Sequence, residues 1–507
     1  MLLTSYEFIG FLALVIIINY LCPKKARKYF LLAASVLFYA TAGLWGLLYI
    51  GAITVLVYIS SRLIGKNQEA YAVWAKENKA VLPKEQRKAY REKQAGKRLL
   101  FLTVAVILCL GVMVIGRIPG LIAPMGLSFY TLQALGYLID VNRENIKPER
   151  NFFKLSLFIG FFPQLVQGPI SRYEELAPSL FEGRDFDIKN ISLGVWRIMW
   201  GFFKKLVIAD RLFSGVQTIT SDTSKYRGAY ILVLMILFSL ELYADFSGGI
   251  DIVIGTAKAL GIDVQENFIR PYFSKSLKEY WRRWHITMCN WFRNYLFYSV
   301  STAKWLQKFS KFCRKRMGEA FGKRLPLYVA TFIVWGATGL WHGFTWNYFV
   351  WGLSNWFILM LSEELEPVYE KIRGHIPFAD KLPYRLFQMG RTFLLVCCMN
   401  LFDCYSSVGD TLGMFGSIFT EGNFGILFDG SLAGIGYSLS DAVIIAAGLL
   451  IMLCVSLLQR KGSVRERILR LAPPARYALF TCLLVAVLLF GIYGVGYDST
   501  QFIYNRF

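Results

Sequence analysis

Apolar runs approaching the ~20 residues that a helix needs to cross a hydrocarbon core recur from one end of this chain to the other. Phe8 to Leu21, Leu99 to Ile115, Leu327 to Trp341, Ala442 to Leu457 and Tyr477 to Val495 are the plainest. With 55% of 507 residues hydrophobic, well above a soluble domain's share, a bilayer is the expected solvent. The pattern predicts an all-α polytopic membrane protein with roughly ten to twelve transmembrane helices. The first run lacks a basic flank before it and a small-residue cleavage site after it, so it reads as a retained helix and not a signal peptide.

Lys and Arg outnumber Asp and Glu by 56 to 34, a formal charge of +22. In a soluble chain that excess would raise the question of nucleic acid. Here the basic residues gather between spans, at Lys24–Lys28, Lys84–Arg98, Lys304–Arg324 and Arg460–Arg476. Such clusters mark cytoplasmic loops facing anionic lipid headgroups, so no nucleic-acid partner is expected. Between Arg391 and Arg460 there is no Lys or Arg, while five acidic residues sit among glycines, which places that stretch outside. The resulting expectation is a multi-pass plasma-membrane protein with the N-terminus and the tail Tyr497–Phe507 both extracytoplasmic. Nine cysteines, mostly inside apolar runs, show neither metal-ligand nor disulfide spacing and read as packing residues.

The chain reads as one membrane domain over 1–507. Spans 1–120 carry a basic cytoplasmic insertion at 64–98 whose Glu, Lys, Ala and Gln spacing predicts a helical hairpin. Residues 363–507 form further spans and the tail. The middle, 120–362, mixes Gly, Pro, Asp, Arg and His into apolar sequence. Such residues persist at membrane depth only when buried in protein or lining a wet cavity, so function is sought there. Pro163, Gln164, Gln167, Gly168 and Pro169 predict a re-entrant turn, since both prolines lack a donor and Gly168 adds freedom. Pro124 to Tyr130 has the same character.

Two of the three histidines lie in this middle. Histidine is the side chain best matched to taking and returning a proton near neutral pH. His342 ends an apolar run and precedes Gly343, which permits a turn or a close approach to backbone; it reads as a proton-transfer group or a satisfied structural hydrogen bond. His285 follows Arg282 and Arg283 among Trp281, Trp284 and Trp291. The arginines suit an anionic donor or, equally, lipid phosphate at an interface. Glu241, Asp245 and Asp251 sit in a stretch otherwise apolar from Tyr230 to Ile254. Each carboxylate at membrane depth costs on the order of 2.5–3.5 kcal/mol on insertion scales. Structural ion pairs are therefore expected, with Arg282 and Arg283 among the candidate partners.

Read together, Gly126 to Tyr130 with Asp140, Phe162 to Pro169, Tyr243 to Gly248, Glu266-Asn267-Phe268 with Arg270 to Tyr272, Trp281 to His285, Trp291 to Arg293, and Gly339 to Gly343 resemble the membrane-bound O-acyltransferase family. The branch they resemble contains alginate O-acetyltransferase membrane subunits and teichoic-acid D-alanyl transfer proteins. The resemblance implies a catalytic histidine at His342 and a second functional histidine at His285. It implies a central funnel with re-entrant helices, along which an acyl group passes from a cytoplasmic thioester, acetyl-CoA or a carrier-protein thioester, with no bound cofactor or metal. Arg282, Arg283, Trp281, Asn267 and Trp341 fall at donor- or substrate-contacting positions, and Asp245, Asp251 and Gln167 at structural polar ones. The end, Phe502-Ile-Tyr504-Asn-Arg-Phe507, resembles an acyl-acceptor motif. It implies Tyr504 as a transient carrier that hands the group to an extracytoplasmic esterase-like (SGNH-type) transferase. The chain departs from the family at Asn294, where Asp is usual, and in lacking a Gly-Gly-Asn-Arg segment after Tyr298. Trp-Arg-Arg-Trp-His favours acetyl transfer, whereas Gly343 to Tyr348 looks more like the D-alanyl side. A glycan or lipid transporter is the rival of another class; it gives no reason for His342 or the tail.

Overall fold

The computed structural model describes residues 1–118 and 124–494, and among them every regular element is helical. Tyr504 and the tail lie outside the described residues. Among the described residues five helices are long and apolar enough to cross a membrane: Leu44–Glu77, Lys84–Ile115, Ala229–Ala259, Leu439–Lys461 and Pro473–Phe490. Tyr6–Leu21 is a shorter apolar helix. Glu319–His342, Trp346–Glu364 and Leu382–Asn400 have 24, 19 and 19 residues, long enough to cross but with more polar sequence. The described residues fall into two compact units, 1–195 with 253–265, and 196–252 with the rest from 266.

In the first unit, Ser5 starts Tyr6–Leu21 by accepting from the Phe8 amide, and Pro23 and Pro83 stand at the N-caps of Lys24–Ala40 and Lys84–Ile115, where a missing N–H does no harm. Leu44–Glu77 and Lys84–Ile115 are about 50 Å long, far more than the hydrocarbon thickness. Their polar ends form the expected hairpin, held by Trp74 stacked on Tyr90 at 3.8 Å and by an Asn67 to Gln94 hydrogen bond of 2.7 Å.

Where prolines interrupt the sequence, the chain breaks. Phe152–Gly160 ends at an extended Phe161, and Phe162–Leu165 makes one turn with Pro163 in its first positions. Gln164 then ties the following loop by donating to the Pro169 carbonyl and Ser171 Oγ, and Gln133 receives the Ser171 amide. The turn is wholly buried in the protein. Gly126 (φ +70°) sits so close that a Cβ there would fall 1.8 Å from the Leu165 carbonyl oxygen, so only glycine fits.

In the second unit, Gly201 lets its helix approach Ala229–Ala259, since a Cβ at 201 would meet the Gly248 carbonyl at 2.6 Å. Glu319–His342 and Trp346–Glu364 cross through Gly339 and Gly352, where a Cβ would meet the Tyr348 and Trp335 carbonyls at 2.4 Å. Leu439–Leu458 opens with a Ser438/Asp441 capping box. Cys109, Cys313 and Cys397 are buried, whereas Cys454 and Cys482 are exposed on apolar helices.

Candidate active site

The segment Leu277–Trp281, a tight turn, and Ile286–Trp291 carry the Trp-Arg-Arg-Trp-His sequence. His285 closes that turn in the left-handed region (φ 46°, ψ 51°), as does Arg270 (φ 47°) in the facing loop. Among the described residues only Glu144 is a third non-glycine with positive φ. Such conformations are disfavoured for a side chain with a Cβ and persist where surroundings over-determine them. Here two backbone bonds clamp the loops together, Ile269 N–H to the Arg283 carbonyl and Ile286 N–H to the Asn267 carbonyl, each 3.0 Å.

Asn267 is fully buried and its Oδ1 accepts from the Thr287 amide (3.1 Å) and hydroxyl (3.0 Å), with His285 Nδ1 at 3.3 Å. An amide oxygen only accepts, so the proton of the neutral imidazole sits on Nδ1, facing Asn267. The imidazole is fully buried, against Phe246 at 4.9 Å and Trp341 at 6.0 Å between ring centroids. His342, partly exposed, packs against the same indole, with ring centroids 4.9 Å from Trp341 and 4.9 Å from Trp351. Residues far apart in sequence are thus brought to one aromatic cluster, with Trp341 in contact with both histidines.

His342 is the last residue of its helix because Gly343 turns the chain, its N–H bonded to the Gly339 carbonyl. A Cβ at Gly343 would lie 2.5 Å from the Tyr348 ring, so what approaches this glycine is an aromatic side chain. Thr345 caps the next helix, and Asn347 Nδ2 donates to the Phe402 and Tyr405 carbonyls. Much of the Gly343 to Tyr348 segment therefore serves local structure.

The remaining expected site residues separate into distinct environments. Trp281 Nε1 donates to Asn355 Oδ1 at 3.0 Å, and its ring meets Trp335 and Trp351. Trp351 thereby joins Trp281 to His342. Arg283 is paired with Glu279 at 2.5 Å, and Arg282 is exposed. Gln167, in the first unit, is fully buried, and among the described residues its amide meets no hydrogen-bond partner.

Of the three carboxylates in the apolar stretch, Asp245 and Asp251 are ion-paired, but to other residues than Arg282 and Arg283. Asp251 pairs with Arg197 (2.7 Å) and Lys204 (2.6 Å), and Asp245 pairs with Lys205 (2.5 Å), which also meets Asp210 (2.7 Å). The reason is local. Lys204 and Lys205 sit in a π-helical stretch, Phe203–Ala209, and the close Gly201/Gly248 crossing brings it against Ala229–Ala259. The signal available in the sequence was two adjacent lysines inside the apolar run from Ile198 to Ala209. A second π-helical stretch, Phe292–Phe297, follows the His285 helix. No group of three or more metal-ligating side chains occurs among the described residues.

A model of the membrane-bound O-acyltransferase family matches residues 146–313, a span that contains Asp245, Asp251, Asn267 and His285 but ends before His342. The chain is 29% identical to a probable alginate O-acetylase of Azotobacter vinelandii over 395 residues, 72% of this chain and 69% of that one. It is 30% identical to a peptidoglycan O-acetyltransferase of Helicobacter pylori over 285 residues, 51% of this chain and 50% of the other. It is 29% identical to a teichoic acid D-alanyltransferase of Bacillus subtilis over 243 residues, 46% and 57%. The match thus spans only about half the length of the latter two.

Proposed function

The chain belongs to the membrane-bound O-acyltransferase family, and from that premise we propose that it moves an acyl group, acetyl in preference to D-alanyl, from a cytoplasmic thioester across the plasma membrane for O-acylation of a cell-surface or exported polysaccharide. The observation that carries this reading is the pair of histidines that both contact the Trp341 ring, one of them held by Asn267. In this mechanism a histidine takes the proton of an acceptor hydroxyl as its oxygen attacks the thioester carbonyl. The carbon–sulfur bond breaks, the new ester forms, and the thiol leaves with a proton returned from the imidazolium. His342, the partly exposed member, serves as the base, and His285 steadies the buried donor side. The low-dielectric surroundings strengthen every charge interaction as the transition state forms.

Acetyl is favoured because the alginate-type similarity runs along more of the chain than the D-alanyl-type similarity. The D-alanyl-like segment from Gly343 to Tyr348 has structural duties that account for it. Under this proposal the acyl group passes along a funnel lined by ten or so helices, reaches Tyr504 on an extracytoplasmic tail, and is handed to an SGNH-type partner. The test is O-acyl ester content of the surface glycan in cells carrying wild type, His342→Ala and Tyr504→Phe at matched membrane levels. Loss in both supports the relay; loss with His342→Ala alone keeps the acyltransferase and removes the tail carrier. Retention in both returns the chain to the transporter reading.

A further inference from the structure

A cavity of about 530 Å³ in the second unit has neither histidine in its lining. Its polar end carries Arg197, Lys204, Arg270 and Arg465 against Asp251 and Glu266, an excess of two positive charges. The charges are not shared evenly. Arg197 is bound to both carboxylates, with its two terminal nitrogens on Glu266, and Lys204 is bound to Asp251. Among the described residues neither Arg270 nor Arg465 has a carboxylate at ion-pair distance. Burial lowers the pKa of the Arg465 guanidinium, with Arg197 adding to the effect, and burial and Arg283 do the same for Arg270. Two partly enclosed guanidinium groups that an anion would relieve therefore face one cavity.

The lining also has an apolar part. Met452 and Val455 from Leu439–Leu458, and Leu479 and Leu483 from Pro473–Phe490, belong to it. Both helices are membrane-crossing by length and composition. A ligand that satisfies both ends has a compact multivalent anion joined to an apolar or extended chain. The planar guanidinium fork matches phosphate oxygens two at a time.

We propose that this cavity binds a phosphate group carried on an amphiphile, the phosphate held by Arg270 and Arg465 and the adjoining chain laid along Met452, Val455 and Leu483. Two sources supply that chemistry. One is a bilayer phospholipid, whose phosphate lies at the level where the spans give way to basic loops. The other is a phosphorylated thioester donor. Phe268 lines the cavity and packs on Phe246 at 4.9 Å, and Phe246 packs on His285 at 4.9 Å, so the site is two aromatic rings from the buried histidine. The donor arm alone rests on the acyl-transfer reading.

The test uses the full chain in nanodiscs of phosphatidylcholine with or without added phosphatidylglycerol. Phosphatidylglycerol retained through delipidation is measured by mass spectrometry, and acetyl-CoA affinity by calorimetry. The variants are Arg270→Gln, Arg465→Gln and Gln459→Glu, the last an isosteric change at an exposed lining residue that adds a negative charge. Binding of one ligand is expected to weaken about tenfold or more in each variant. Weakened lipid retention alone assigns the site to phospholipid, and weakened acetyl-CoA affinity alone assigns it to the donor. If both bindings stay at wild-type strength in Gln459→Glu, the proposal is overturned, whatever becomes of the arginine variants. These readouts do not depend on turnover, so a chain that transfers no acyl group still confirms or refutes the cavity.

Discussion

The hairpin Leu44–Glu77/Lys84–Ile115 and the stretch from Trp196 to His342 are built on opposite plans. The hairpin is two uninterrupted helices, apolar where it meets lipid and polar where it leaves it, joined by rings and one amide pair. The other region holds two π-helical stretches, two left-handed non-glycine residues and four ion pairs to carboxylates at or near membrane depth. Every one of those features opposes folding locally and persists only because neighbours compensate. Regularity marks the scaffold, and compensated irregularity marks the place where side chains are held for chemistry.

The contrast sharpens most with His342→Ala. Removing a positioned proton-transfer group should lower O-acyl ester formation by roughly 10²–10⁴-fold, with membrane levels near wild type, as surface-ester hydrolysis and immunoblotting would show. Lys205→Met is the strongest structural test. It leaves Asp245 and Asp210 facing each other in a buried site, and breaking such a pair costs about 3–5 kcal/mol. The protein should fail to accumulate, or should lose its cooperative thermal transition in detergent. An unaltered midpoint would mean that the ion cluster is incidental.

Asn267→Ala comes next. It removes the acceptor that orients His285 and Thr287, and misplacement of this kind should reduce acyl transfer by up to about 10²-fold. Asn267→Asp, which keeps an acceptor oxygen, should restore part of it. Trp74→Ala, in the hairpin, should leave acylation unchanged and lower stability by only ~0.5–1.5 kcal/mol beyond its lost burial. A large loss of acylation there would break the division between scaffold and site.

How much of this the sequence discloses follows from how local each feature is. The helices, the hairpin at 66–98, the broken turn at Pro163 and the two histidines are written in short stretches, through apolar runs, prolines, glycines and rare residue types. The partners of Asp245 and Asp251 are not, because they depend on a close Gly201/Gly248 crossing and on a π-helical turn that presents Lys204 and Lys205 together. Arg282 and Arg283 are the nearer candidates by motif, yet Arg283 pairs with Glu279 and Arg282 is exposed. Likewise, Gly339 reads in sequence as part of a histidine motif, whereas its demand is the backbone of the neighbouring helix.

The most direct test of the central claim is a double-mutant measurement of glycan O-acyl ester in cells carrying His285→Ala, His342→Ala and the pair together, at matched protein levels. Groups that act as one unit on one reaction give non-additive losses. The account predicts that each single variant falls nearly to the level of the double variant. Losses that multiply, or ester retained when His342 is absent, would contradict it.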